Sequence, residues 1–131
     1  MSVHFEELQS IRETVQLYID GVHNGNIDLL QQAFHPKAMM YGANPGGANI
    51  VEIEGLYNHV SSNPPVAESS ENHQCLITTI RYHGNAGIVE MEETDAYGHD
   101  YVNYFQLLKI EGSWVIVSKS YNATATKGRE A

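Results

Sequence analysis

The last third of the chain constrains the fold most. From Gln74 to Asn122 long apolar runs are broken by short turn signals at Gly84-Asn85, Gly98-His99 and Glu111-Gly112. Strands of this length joined by tight turns pair as an antiparallel meander. The final hairpin, Asp100 to Tyr121, is the clearest part of it. If it turns on Glu111-Gly112, then Asn103, Phe105 and Leu107 share a face with Trp114, Ile116, Ser118 and Ser120. Tyr104, Gln106, Leu108, Val115, Val117, Lys119 and Tyr121 share the other. Both faces are substantially apolar, so both are expected to be covered. One takes the first helix. A second copy of the chain is the simplest cover for the other, which predicts a symmetric dimer through the convex face.

Helices precede the meander. Phe5, Leu8, Ile11, Val15, Tyr18 and Val22 recur at steps of three and four, one face of an amphipathic helix. Ser2 can cap its start, and Gly21, Asn24 and Gly25 close it. A shorter helix carries Leu29, Leu30, Ala33 and Phe34, and Pro36 ends it. Ala38 to Tyr41 and Ile50 to Glu54 read as short strands around a loop, Gly42 to Asn49. Gly55 to Ser61 predicts a short helix, and Ser61 to Glu71 a polar loop. Helices first and hairpins after predict an α+β domain with helices on one sheet face. The expected boundaries are residues 1–122 for a single domain and 123–131 for a polar tail.

Composition narrows the function. At 131 residues the chain suits one domain with a core that needs no disulfide or metal. Cys75 is the single cysteine, followed by the apolar strand residues Leu76 and Ile77, and reads as a structural thiol. With 16 acidic and 7 basic side chains the formal charge is −9, and no Lys/Arg cluster is present. Nucleic acid and anionic membrane are therefore not expected partners. The start lacks the basic and apolar segments of a signal peptide, so a cytoplasmic location is expected.

Five stretches carry a resemblance: Thr14-Val15-Gln16-Leu17-Tyr18-Ile19, Gly25-Asn26, Ala33-Phe34-His35-Pro36-Lys37-Ala38, Gly84-Asn85-Ala86, and Tyr104 through Trp114 with its Lys109-Ile110-Glu111-Gly112 turn. In this order they resemble the Putative lumazine-binding branch of the nuclear transport factor 2-like superfamily, which also holds SnoaL-like cyclases and ketosteroid isomerases. The resemblance implies a cystatin-like cone: a curved antiparallel sheet with N-terminal helices packed on its concave face, a ligand pocket between them, and dimers through the convex face. It places Tyr18 where the isomerases carry an oxyanion-donating tyrosine. Gly42 stands where they carry the catalytic aspartate, and Asn103 where the branch often keeps an acid. Neither residue can act as a base.

The expected ligand contacts are Tyr18, Tyr41, Tyr57, Met91, Asn103, Phe105 and Ser118. Asp95 is the candidate general base, if the strand bulges so as to aim it at Asn103; Tyr18 and Asn103 then polarise a carbonyl. The seven histidines make no two-ligand spacing such as HExxH, and no metal or cofactor is expected. The leading expectation is a small-molecule-binding protein. The alternatives are a metal-free cyclase, isomerase or dehydratase, and a protein assembly module.

Overall fold

The computed structural model describes residues 2–126. Helix α1 (Val3–Asn24) is capped by Ser2, whose Oγ accepts from the Phe5 amide at 3.1 Å. It closes at Gly25, held at φ 65, a left-handed conformation that glycine adopts without a Cβ clash. Its buried stripe is Ile11, Val15, Tyr18 and Val22; Phe5, in the first turn, is exposed. Helix α2 (Ile27–Ala33) follows, capped by Asn26 and fixed by the fully buried Leu30.

Six strands form one sheet: β1 (Phe34–Asn44), β2 (Gly47–Glu52), β3 (Gln74–His83), β4 (Ala86–Ala96), β5 (His99–Ile110) and β6 (Ser113–Ala125). Their order is β2-β1-β6-β5-β4-β3. Every pair is antiparallel except β1 with β6, which is parallel. The outermost strands, β2 and β3, do not pair, so the sheet curls without closing. Helix α1 lies across the inner face against β3 and β6. Thr14 anchors it by donating to the Trp114 carbonyl at 3.0 Å, and Glu7 accepts from the Trp114 indole at 3.0 Å. Helix α3 (Glu54–Ser61) packs against α2 and β2, and α4 (Val66–Ser69) against α1. The α+β cone expected from the sequence is therefore the fold observed.

Local departures have physical causes. The expected strand Ala38–Tyr41 extends from Phe34 to Asn44 and runs through Pro36. Pro36 is tolerated because the β1–β6 register breaks between Phe34 and Met39, where no ladder donor is needed. The expected loop 42–49 is instead a hairpin that pairs Asn44 with Gly47. The expected loop 61–71 contains α4, pinned by the fully buried Val66. The expected tail, 123–131, begins inside β6, which runs to Ala125; from residue 127 it lies outside the described residues.

The decisive departure is a bulge in β6. Gln106 pairs with Ser118, but Leu107 pairs with Ile116, so Val117 is the extra residue. One inserted residue reverses the alternation beyond it. Trp114 and Ile116 face inward as expected. Past the bulge Lys119, Tyr121 and Ala123 face inward, and Ser118 and Ser120 face out.

Candidate functional site

A cavity of about 380 Å³ opens between α1, α3 and the inner face of the sheet. Tyr18 and Val22 of α1, Leu56 and His59 of α3, and Tyr101 and Tyr121 of β5 and β6 are among the residues that line it. Asn44 and Asn49, on the β1–β2 hairpin, stand at one side. Two charged groups, Glu93 and Lys119, reach the wall.

Glu93 is the hub of a buried polar network. Its Oε1 accepts from Asn103 Nδ2 at 3.0 Å and from the Tyr18 hydroxyl at 3.3 Å. Its Oε2 lies 2.8 Å from His73 Nε2, and His73 Nδ1 lies 2.9 Å from His23 Nδ1. The carboxylate accepts from His73 Nε2, and the Nδ1 atoms of His73 and His23 face each other at hydrogen-bond distance. Burial alone raises a carboxyl, but the His73 hydrogen bond, the Lys119 charge and Asn103 together hold Glu93 below its ordinary value. Glu93 is thus an anion throughout the neutral range. Burial and the nearby carboxylate push Tyr18 well above the usual phenol value, so its hydroxyl stays a donor.

Lys119 is the second charge. It is 3% exposed, and its Nζ sits 4.3 Å from the Tyr121 ring centroid and 5.4 Å from that of Tyr18. Among the described residues its one hydrogen-bond partner is the weak acceptor Met40 Sδ at 4.0 Å. Among the described residues it forms no ion pair. Burial lowers this ammonium to about 8, while the charge of Glu93 acts the other way. Its charge reaches His59, whose titration is lowered first by burial and second by Lys119. At neutral pH the His59 imidazole is therefore an uncharged proton acceptor.

The wall near β4 carries backbone strain. Asp95 and Tyr97 have φ of 54 and 52, left-handed values for non-glycine residues, where β4 slips register against β5 between Glu93 and Ala96. The slip brings Ala96 and Tyr97 to the cavity. The Tyr97 hydroxyl is buried with no hydrogen-bond partner among the described residues, as is Asn103 Oδ1. Burial and Glu93 push Tyr97 up to about 12, so its proton is retained.

The predicted site residues divide accordingly. Tyr18 lines the cavity, and Asn103, fully buried, braces Glu93 one layer beneath it. Met91 and Phe105 are fully buried core. Tyr57 is half-buried against Phe34. Tyr41, 40% exposed, and Ser118 lie on the outer face; Ser118 is there because of the β6 bulge. Asp95 accepts from Ser70 Oγ at 2.5 Å and does not line the cavity. The residue that joins Asn103 is Glu93, two positions earlier. Lys119 and Tyr121, which strict alternation puts on the convex face, are cavity residues.

Gly42 is also explained. A Cβ there would overlap the Tyr121 ring, so a phenol from β6 fills the space beside this residue. Metal-type ligands meet once among the described residues: His73, Cys75 and Glu93 bring their donor atoms within 4.8 Å of one another. The His73–Glu93 hydrogen bond uses that proximity. Burial and Glu93 raise the Cys75 thiol far above its ordinary value, which keeps it protonated.

With the geometry in place, comparison with known proteins settles the family. Residues 6–122 match the sequence profile described as Putative lumazine-binding. The chain belongs to this family. A solved nuclear transport factor 2-like protein of unknown function from Shewanella baltica superposes with a TM-score of 0.86 at 24% identity, covering 96% of this chain and 100% of that one. A second, from Methylobacillus flagellatus, gives 0.83 at 28% identity over 95% and 96%. A ketosteroid isomerase-like protein from Erwinia carotovora atroseptica gives 0.67 at 19%, covering 92% and 98%, a likeness of fold. In sequence the chain is 25% identical over 120 residues to the aldolase FrzH of a Cladobotryum species, covering 89% of this chain and 91% of that protein. No helix is long and apolar enough to cross a membrane.

Proposed function

We propose that the cavity binds a small, partly aromatic carbonyl compound and moves the proton on the carbon next to the carbonyl. The observation that carries this reading is Lys119: a buried amine on the cavity wall, held between two tyrosine rings and, among the described residues, facing Glu93 without an ion pair. A desolvated cation is costly to maintain, and it is well suited to stabilise negative charge developing on a substrate oxygen. The Tyr97 hydroxyl, without a hydrogen-bond partner among the described residues, adds a donor, and His59 supplies a base that is uncharged at neutral pH. Glu93, with three hydrogen bonds, acts as counter-charge and positioning group. The likeness to an aldolase agrees with this, because carbon-bound proton removal beside a carbonyl opens an aldol addition.

Incubation with aryl-substituted ketones and aldehydes in D₂O tests the proposal. Deuterium is expected to enter the carbon next to the carbonyl faster than in buffer, as read by proton NMR. Thermal stabilisation by these compounds without exchange would instead support a binding protein. The occlusion of Gly42 by Tyr121 favours that second reading, since it removes the base the isomerases use.

The convex face supports a homodimer. Ile88, Val102, Tyr104, Leu108 and Ile110 are all exposed there, a contiguous apolar surface on neighbouring strands. Light scattering is expected to give twice the chain mass, and a monomer at micromolar concentration would reject this assembly.

A further inference from the structure

Among the described residues the cavity presents one primary amine. There Lys119 is the lysine on its wall; Lys109 is held by Glu7 at 2.6 Å elsewhere, and Lys37 is exposed on β1. We infer that Lys119 forms a covalent imine with the carbonyl carbon of the substrate, which restricts the substrate class to ketones and aldehydes. This rests on the reading above and gives it a mechanism.

The step balances without a cofactor. The Lys119 ammonium passes one proton to a neighbouring base, and its freed lone pair attacks the carbonyl carbon. A C–N bond forms, and the π pair goes to oxygen, which takes that proton back. The nitrogen then gives up a second proton to the same oxygen, the C–O bond breaks, and one water leaves. What remains is a protonated imine. Ammonium and iminium carry the same charge, so the groups that hold the first also hold the second: the faces of Tyr121 and Tyr18, and the Glu93 anion. The iminium draws electrons from the adjacent C–H bond. His59 accepts that proton, leaving a neutral enamine, a carbon nucleophile towards a second carbonyl. That addition forms a C–C bond, the acceptor oxygen takes the proton from His59, and water releases the product from Lys119.

The environment also supplies free amine. Burial lowers Lys119 to about 8. At pH 8 about half of it is deprotonated, whereas an exposed lysine near 10.4 is less than ~1% deprotonated. The surrounding rings and Met40 favour the dehydrated imine over the carbinolamine by limiting water.

The test is reductive trapping. The full chain is treated with phenylacetone or phenylacetaldehyde and sodium cyanoborohydride at pH 8, digested, and mapped by mass spectrometry. Lys37, Lys109 and Lys127 serve as controls in the same digest. Label on Lys119 on the order of tenfold above the controls is expected, given its excess of free amine. Label at Lys119 no greater than theirs overturns the imine. Lys119→Arg keeps the cation but cannot form the imine, and its thermal unfolding checks the fold. Loss of deuterium exchange in folded Lys119→Arg supports the imine, and retained exchange overturns it. Exchange by the natural chain without trapping rejects only the imine; absence of exchange rejects the acid–base reading itself.

Discussion

Lys119→Met offers a prediction in which stability and function move in opposite directions. Lowering a buried ammonium from 10.5 to about 8 corresponds to about 3 kcal/mol of destabilisation at neutral pH. The sign follows from proton counts. Between pH 8 and 10.5 the unfolded chain binds more protons at this residue than the folded one, so stability rises with pH across that window. Below it the full penalty is present. Methionine matches the lysine stem and carries no charge, and it keeps the packing against Tyr18, Tyr121 and Met40. Removing the cation also removes its attraction for Glu93, but Glu93 retains His73, Asn103 and Tyr18. The net expectation is a gain of about 2 kcal/mol at pH 7, or roughly 6–12 °C in Tm for a chain of this size. Urea unfolding of both proteins at pH 7 and pH 10 measures it, with the difference between them cancelling the other titrations. The gain should shrink to about 1 kcal/mol or less at pH 10. A variant less stable than the natural chain at pH 7, or a difference that ignores pH, would refute the argument that Lys119 is a desolvated cation.

Other outcomes follow from the same structure. His59→Gln should reduce deuterium exchange about 100-fold or more with little change in fold, since general bases contribute about 10²–10⁴. In the natural chain the acid limb of the exchange rate should lie below pH 6.5, because burial and Lys119 lower His59. Gly42→Asp should cost about 2 kcal/mol or more through overlap with Tyr121, and Tyr121→Ala should relieve part of that in a double-mutant cycle read by urea unfolding. Leu30→Ala, at a fully buried site, should cost about 2–5 kcal/mol by the same assay. Leu108→Glu on the convex face should convert the proposed dimer to a monomer in light scattering.

The legible parts of the sequence were those set by regular periods. Helix α1 shows its stripe at steps of three and four, and Ser2 and Gly25 mark its ends. The hairpin of β5 and β6 shows its turn at Glu111-Gly112 and its inward Asn103, Phe105 and Leu107. The site was less legible because it depends on two irregularities. The bulge at Val117 carries Lys119 and Tyr121 across the sheet, and no turn residue or proline announces it. Its one trace is a lysine between two serines in an otherwise apolar strand, which strict alternation assigns to the convex face. The left-handed residues Asp95 and Tyr97 likewise end the alternation of β4, so Glu93 rather than Asp95 meets Asn103. His59 sat on a short helix whose packing partner, the cavity, exists only after β1, β4 and β6 are assembled.

The role of Lys119 is tested most directly by the rate of deuterium entry into phenylacetone, followed by proton NMR, for the natural chain, Lys119→Met and Lys109→Met. Lys109 pairs with Glu7 away from the cavity and is the control. Exchange above buffer for the natural chain and Lys109→Met, and none above buffer for Lys119→Met, is the predicted result. Exchange at the buffer rate in all three, or equal exchange with and without Lys119, would contradict it.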